Sequence, residues 1–235
     1  MPKRRRTWSH RSVQWLGGLA ALYLVLAYLA APEFWLFRTH GETFTPADML
    51  THTPDGIAGD PINVGLVAEK ADIIRALAAA RWDAADAVTL KSSLEIGESV
   101  LFDRPYPDAP VSTLLYEGRG QDLAFEKPVG DSADQRHHVR FWKTAETGPN
   151  GAPLWLGSAS FDKDVGLSRD TGQITHHIGP DLDAERDGLV AGLKQAGWVA
   201  STYLMAGRGK TRDGRNGGGD LYVTDGQAWV AVLSN

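Results

Sequence analysis

HHVRFWKTAETGPNGAPLWLGSASFD, residues 137–162, is the stretch on which the fold turns. It holds two runs of alternating character, HHVRFWKT and PLWLGSASFD, parted by Gly, Pro and Asn, which is a turn composition. Successive side chains on a strand point to opposite faces. His137, Val139 and Phe141 therefore share one face of the first run, and His138, Arg140 and Trp142 share the other. In the second run Trp155, Ala159 and Phe161 share a face, opposite Ser158, Ser160 and Asp162.

Further strand-like runs flank this pair: LLYEG and QDLAFEKP before it, QITHHI after it, and WVASTYLMAG, DLYVT and AWVAVL near the end. INVGLVA, from Ile62, reads as a short buried strand. Helical spacing appears in EKADIIRALAAARW, with Ile73, Ile74, Leu77 and Ala80 on one face, and in TLKSSLEIGESVLF (89–102). RPYPDAP then ends the second helix, since proline cannot continue one. AEKADIIRALAAARW (68–82) aligns without gaps on AERDGLVAGLKQAGW (184–198). The shared residues are Ala68/Ala184, Glu69/Glu185, Leu77/Leu193, Ala80/Ala196 and Trp82/Trp198. Two related strand–helix units and two merely similar amphipathic helices both account for that pattern. The expected class is α+β: a mainly antiparallel sheet with two or three helices on one face, preceded by one transmembrane helix.

That last element is read from the leader. Between Arg11 and Glu33 lies the uncharged run SVQWLGGLAALYLVLAYLAAP. At 1.5 Å per residue it is about 30 Å long, the thickness of a bilayer's hydrocarbon core. Lys3, Arg4, Arg5, Arg6 and Arg11 precede it, which by the positive-inside rule puts the N-terminus in the cytoplasm and the rest outside. Trp8 and Trp15 flank one edge, and Tyr28, Phe34, Trp35 and Phe37 the other. A cleaved signal peptide has a shorter apolar region, and Leu29-Ala30-Ala31 is a poor cleavage site. The expected organisation is a basic cytoplasmic segment (1–12), an anchor (13–36), a linker (37–60) and a soluble domain (61–235).

The chain's net charge is −5. Residues 1–36 hold five basic groups against Glu33 alone, so the remainder has 19 basic and 28 acidic residues. An acidic domain of this kind argues against nucleic acid as a partner. The absence of cysteine excludes disulfides, thiolate metal sites and a cysteine nucleophile.

The runs QDLAFEKPVGDSADQRHHVRFW and LWLGSASFDKDVGLSRDTGQITHHIGPDLDAERD, with the closing GRNGGGDLYVTDG, resemble the LssY C-terminal domain family over roughly 60–235. That resemblance implies a bacterial, membrane-associated protein of no established activity. Some members are joined to membrane segments of the DedA or lipid-phosphatase type, but no phosphatase bundle is seen here, and no catalytic residue carries over.

Matching the apolar faces of the strands leaves a polar set opposite: His138, Arg140, Ser158, Ser160, Asp162 and His177. His138, His177 and Asp162 are candidate ligands of a divalent metal with an open position for water, and Asp181, Asp183 and Glu185 stand near enough in sequence to add one. Arg140 and Asp162 are the candidate catalytic groups, Arg140 by holding an anionic oxygen. The plainer reading is a polar solvent face, with His137 and His176 in the core and Asp181 or Asp183 capping a helix. Arg208, Lys210, Arg212 and Arg215 form a basic loop suited to an anionic lipid or polymer. GKT at 209–211 lacks the first glycine of a phosphate loop, since position 204 is Leu204, and no serine lies in a GxSxG context. Two functions follow as expectations: an envelope domain acting through binding or assembly with a lipid, polymer or protein partner, and a metal-dependent hydrolase of an envelope substrate.

Overall fold

A computed structural model describes residues 10–38, 46–85, 112–130, 135–207 and 213–234. Helix α1 (His10–Val25) runs through a five-residue π turn (Leu26–Ala30) into α2 (Ala31–Arg38). The domain that follows has strands β1 (Leu50–His52), β2 (Ala58–Pro61) and β3 (Val64–Val67), helix α3 (Lys70–Ala79), and strands β4 (Asp83–Ala84), β5 (Leu115–Tyr116), β6 (Arg119–Gly120) and β7 (Leu123–Pro128). Then come β8 (Arg136–Thr147), β9 (Pro153–Leu167), β10 (Ile174–Ile178), helix α4 (Leu182–Gln195), β11 (Val199–Ala206), β12 (Asp213–Arg215), β13 (Leu221–Val223) and β14 (Gln227–Leu233).

The principal sheet has the order β11-β14-β3-β9-β8-β7-β4, with β10 added beside β9. Its pairings are antiparallel except β14 with β3. The α+β class and the mainly antiparallel sheet are as expected. The β8–β9 register places His138 opposite Ser160, Val139 opposite Ala159 and Arg140 opposite Ser158.

The alternation sorts two cores. Val64, Leu66, Phe125, Val139, Phe141, Trp155 and Ala159 face α3 and α4, whose Ile73, Leu77, Leu189 and Leu193 complete that layer. Each such buried side chain contributes on the order of 2 kcal/mol. Ile74, read with this face, is instead 41% exposed. The opposite face is also covered. Val67, Trp142, Leu154, Leu156, Val230 and Val232 pack with Met49, Ile62, Leu114 and Tyr116. The covering layer is a small sheet of order β2-β1-β5-β6. Trp142 is fully buried there, its indole N–H donating to the Arg119 carbonyl at 3.0 Å.

This second layer corrects two expectations. The polar face of the large sheet is not its solvent face. The expected linker 37–60 also contributes β1 and β2, so the domain has begun by Leu50. Strands of two to four residues are too short for a period to show, and their Thr, Gly, Asp and Pro content reads as turn. The expected helix 89–102 lies outside the described residues.

Helix α4 is capped by Asp181, whose carboxylate accepts from the Ala184 N–H at 3.0 Å, and Asp183 and Glu185 sit in its positively polarised first turn. Helices α3 and α4 close alike. The Trp82 N–H donates to the Leu77 carbonyl (2.9 Å) and that of Trp198 to Leu193 (3.1 Å), across Arg81 (φ 63°) and Gly197 (φ 79°). These are six-to-one closing bonds over a left-handed residue. Three of the five residues shared by the two segments therefore belong to a common helix stop.

Within the leader, Arg11–Trp35 is a helix of 25 residues with mean hydropathy 1.7, long and apolar enough to cross a membrane. Leu19, Leu22, Leu26, Leu29 and Phe34 are all about half or more exposed. Ala27 is buried, packed against Gly172 in the turn between β9 and β10, and Pro32 is buried as well.

A buried charge network beneath a cleft

Arg136, His138 and Arg140 alternate along β8, beside Asp162, Ser160 and Ser158 of β9. All six are buried. The small sheet adds Asp60 from β2, whose carbonyl accepts from the Thr51 hydroxyl at 2.7 Å. Arg136 donates from Nε to Asp162 Oδ2 (2.9 Å) and from Nη1 to Glu126 Oε2 (2.6 Å). The Ser160 hydroxyl donates to Asp60 Oδ2 (3.1 Å), and His138 Nε2 stands 2.8 Å from the same hydroxyl oxygen. His138 Nδ1 lies 3.2 Å from Asp162 Oδ1.

Burial works to raise the pKa of both Asp60 and Asp162, yet both are held below the ordinary carboxylate value. Hydrogen bonding and charge from His138 and the charge of Arg140 do this for Asp60. The charges of His138, His176 and Arg136 do it for Asp162. Burial works to lower the pKa of His138, but the nearby carboxylates of Asp162 and Asp60 carry it above the ordinary value, against Arg140. His138 Nε2 thus faces the Ser160 hydroxyl and Nδ1 the Asp162 carboxylate, surroundings that favour the protonated ring.

Ser160, His138 and Asp162 have the composition of a nucleophile, base and orienting acid. Ser160 is nevertheless fully buried, donates its proton to Asp60, and does not line the cleft described next. It presents no oxygen to a substrate.

A cleft of about 550 Å³ opens onto Asp60, Arg136, His138, Arg140 and Asp162. Its walls are the turn at 53–57, residues 112–114, β10 and the loop 216–218, with Tyr28 of the leader helix at its side. Arg140 is 4% exposed at its floor. Its Nε donates to the Ser112 carbonyl (3.0 Å) and its Nη2 to the Ser112 hydroxyl (3.1 Å). Its Nη1 makes no hydrogen bond among the described residues and stands 3.7 Å from Asp60 Oδ2. An unmet buried guanidinium N–H is costly unless something else accepts from it.

The loop wall is built by GRNGGGD. Asn216 Oδ1 accepts from the N–H groups of Gly218 (3.0 Å) and Asp220 (2.9 Å), folding the loop on itself. A Cβ at Gly217 would lie 2.7 Å from Thr53 Cγ2, and Gly219 has φ 81°, so both positions need glycine.

A family model described as the LssY C-terminus matches residues 44–228. The chain belongs to the LssY C-terminus family. No curated protein and no solved structure is found to match it. The LssY C-terminus match starts before β1 and runs into β14, so it takes in the small sheet as well as the large one. Every residue lining the cleft except Tyr28 lies within the LssY C-terminus region.

The residues singled out from sequence divide accordingly. His138, Arg140, Ser158, Ser160 and Asp162 come together on one face. His177 does not join them. A register shift sets Ile178 opposite Asp162 but His177 opposite Asp164, an extra residue that interrupts the alternation of β9; His176 lines the cleft, and the His177 ring Nδ1 is 3.0 Å from both oxygens of Asp220. Among the described residues no group of three or more His, Asp or Glu side chains is placed to hold a metal ion. Asp183 accepts from the Thr224 hydroxyl and the Asp225 N–H, and Glu185 meets His137 Nδ1 at 2.6 Å, so both are engaged away from the cleft. Of the basic loop, Arg208, Lys210 and Arg212 lie outside the described residues. Arg215 donates to the Gly219 carbonyl (3.2 Å) and stands 3.4 Å from Asp170 Oδ1. Sequence reasoning missed Arg136, Glu126, Asp60 and Asn216. Extending the β8 alternation by one pair reaches Arg136, and the β7 alternation reaches Glu126. Nothing in a run of turn formers marks Asp60.

Proposed function

We propose that this protein is a membrane-anchored binding domain, with its N-terminus in the cytoplasm and its LssY C-terminus domain on the far side, where the cleft takes up a small anionic group. The carrying observation is Arg140 Nη1, buried at the cleft floor with no hydrogen bond among the described residues. An anionic oxygen there accepts a charge-assisted bond in a low-dielectric site, where such bonds are strongest. The exposed apolar surface of Arg11–Trp35 supports the anchor, and the basic leader supports the orientation. The extracytoplasmic side, and with it an envelope lipid, polymer or protein as partner, follow from that orientation. No described donor set favours the metal-dependent hydrolase built on His138, His177 and Asp162, and it is not carried further.

Calorimetric titration of the detergent-solubilised full chain with inorganic phosphate tests the cleft. Wild type is expected to bind, and Arg140→Gln to bind about tenfold or more weakly, the worth of one hydrogen bond to a charged group. Phosphate binding that is equal in both proteins removes Arg140 from the site and overturns the reading.

A further inference from the structure

The cleft does not stand alone. A second hollow of about 600 Å³ runs along the leader helix, lined by Leu19, Leu22, Leu26, Ala30 and Phe34, and it ends against Thr171 and Gly172. The two hollows border the same short turn between β9 and β10. The polar cleft reaches Gln173 and Ile174, and the apolar groove reaches Thr171 and Gly172. The boundary on the helix is an edge-to-face ring pair, Tyr23 and Tyr28, 6.4 Å between centroids. Tyr23 lines the groove and Tyr28 the cleft.

This contact between helix and turn is made by directed bonds. The Tyr23 hydroxyl donates to the Gly172 carbonyl at 2.9 Å, the Trp35 indole N–H donates to the Asp170 carbonyl, and the Tyr28 oxygen accepts from the Ile174 N–H at 3.3 Å. Leu167 and Ile174, at the two ends of the turn, are 57% and 64% exposed beside it. Tyr28 and Trp35 lie toward the outer end of the apolar stretch and Tyr23 midway along it, so in a helix that spans a bilayer the turn dips into the outer leaflet at Gly172 and holds the cleft mouth at that leaflet's surface. Tyr and Trp at that level are in the zone such rings prefer. Apolar surface on the helix side and an unmet guanidinium N–H on the domain side then face one amphipathic molecule.

We infer that the cleft and the helix groove together seat one membrane phospholipid, its anionic headgroup at Arg140 and an acyl chain along Leu19–Phe34. This rests on the anion-binding reading of the cleft and names the source of the anion. The occupant is a lipid and not a soluble metabolite because the groove belongs to the membrane stretch itself, where hydrocarbon chains are the surrounding solvent. Tyr28, in the wall between the two compartments, fixes where headgroup ends and chain begins.

The test uses the full chain in nanodiscs of phosphatidylcholine with a minor share of phosphatidylglycerol, then gentle transfer to detergent and native mass spectrometry of the lipid retained. Two variants separate the compartments: Arg140→Gln, and Ala30→Trp, which fills the exposed groove without touching the domain core. Phosphatidylglycerol is expected on wild type at about tenfold its share in the disc, falling to that share in both variants. Ala30→Trp is expected to keep its affinity for inorganic phosphate, which also shows that the domain is folded. If Arg140→Gln fails to fold, Ala30→Trp carries the test alone. Phosphate binding without enrichment of phosphatidylglycerol overturns the lipid and leaves the anion site standing. Enrichment unchanged in Ala30→Trp overturns the groove. Loss of both phosphate and lipid binding in wild type overturns both readings.

Discussion

Glu126 has no contact with solvent, and its Oε2 is bonded to Arg136. Burial, opposed by the Arg136 charge, pushes its pKa from 4.5 up to about 7. A carboxyl raised on folding stabilises the fold fully below its unfolded pKa, and that contribution is lost as pH rises through the folded value. Stability is therefore expected to fall between pH 4.5 and about 7, by an upper limit of about 3 kcal/mol for a shift of that size. Asp60 and Asp162 act with the opposite sign. Both are held below 3.8, so their contribution is present above that pH and is lost as pH falls below it. Denaturant titrations over a pH series measure both limbs. Glu126→Gln should remove the decline attributed to Glu126 and leave the acid limb in place. A decline unchanged in Glu126→Gln assigns it to another group. None of this is visible residue by residue in the sequence. Glu126 reads there as an ordinary polar position on a strand, and only a second sheet over that face makes it a buried acid.

At the scale of elements, α3 and α4 end in the same left-handed turn but with different residues. Arg81 holds φ 63° where Gly197 holds φ 79°. A side chain in that conformation costs about 1 kcal/mol that glycine does not incur. Arg81→Gly is expected to stabilise the domain by about that amount, and Gly197→Ala to destabilise it by a similar amount; no atom lies within 4 Å of the added methyl, so the backbone is the cause. Urea midpoints decide it, and two changes of the same sign would show that the turns are not equivalent. The likeness of 68–82 to 184–198 marks both helices in the sequence. The strands before them differ, since β3 is central and pairs parallel with β14 while β10 is an addition at β9. The shared Leu, Ala and Trp therefore report a common helix terminus, not a common position in the sheet.

For the molecule as a whole, the leader helix is both a candidate anchor and a wall of the cleft. An alkaline phosphatase fusion after Asn235 is expected to be active and a green fluorescent protein fusion dark if the proposed orientation, with the domain outside the cytoplasm, holds. The reverse pattern would overturn the orientation while leaving the cleft's chemistry untouched. The sequence by itself determined the apolar helix, the antiparallel class and the polar face of β8 and β9, because a hydrophobic run and a two-residue period are local signals. It did not determine what that face meets. Asp60, Ser112, Asn216 and Tyr28 reach the cleft from four segments with no common period. Only the packing of a small sheet, a glycine loop and the leader helix over one large sheet turned a row of polar side chains into a buried charge network in which one guanidinium N–H group, Arg140 Nη1, has no hydrogen bond among the described residues. That outcome depends on contacts between residues as much as 149 positions apart, as between Tyr23 and Gly172, and no window of sequence contains them.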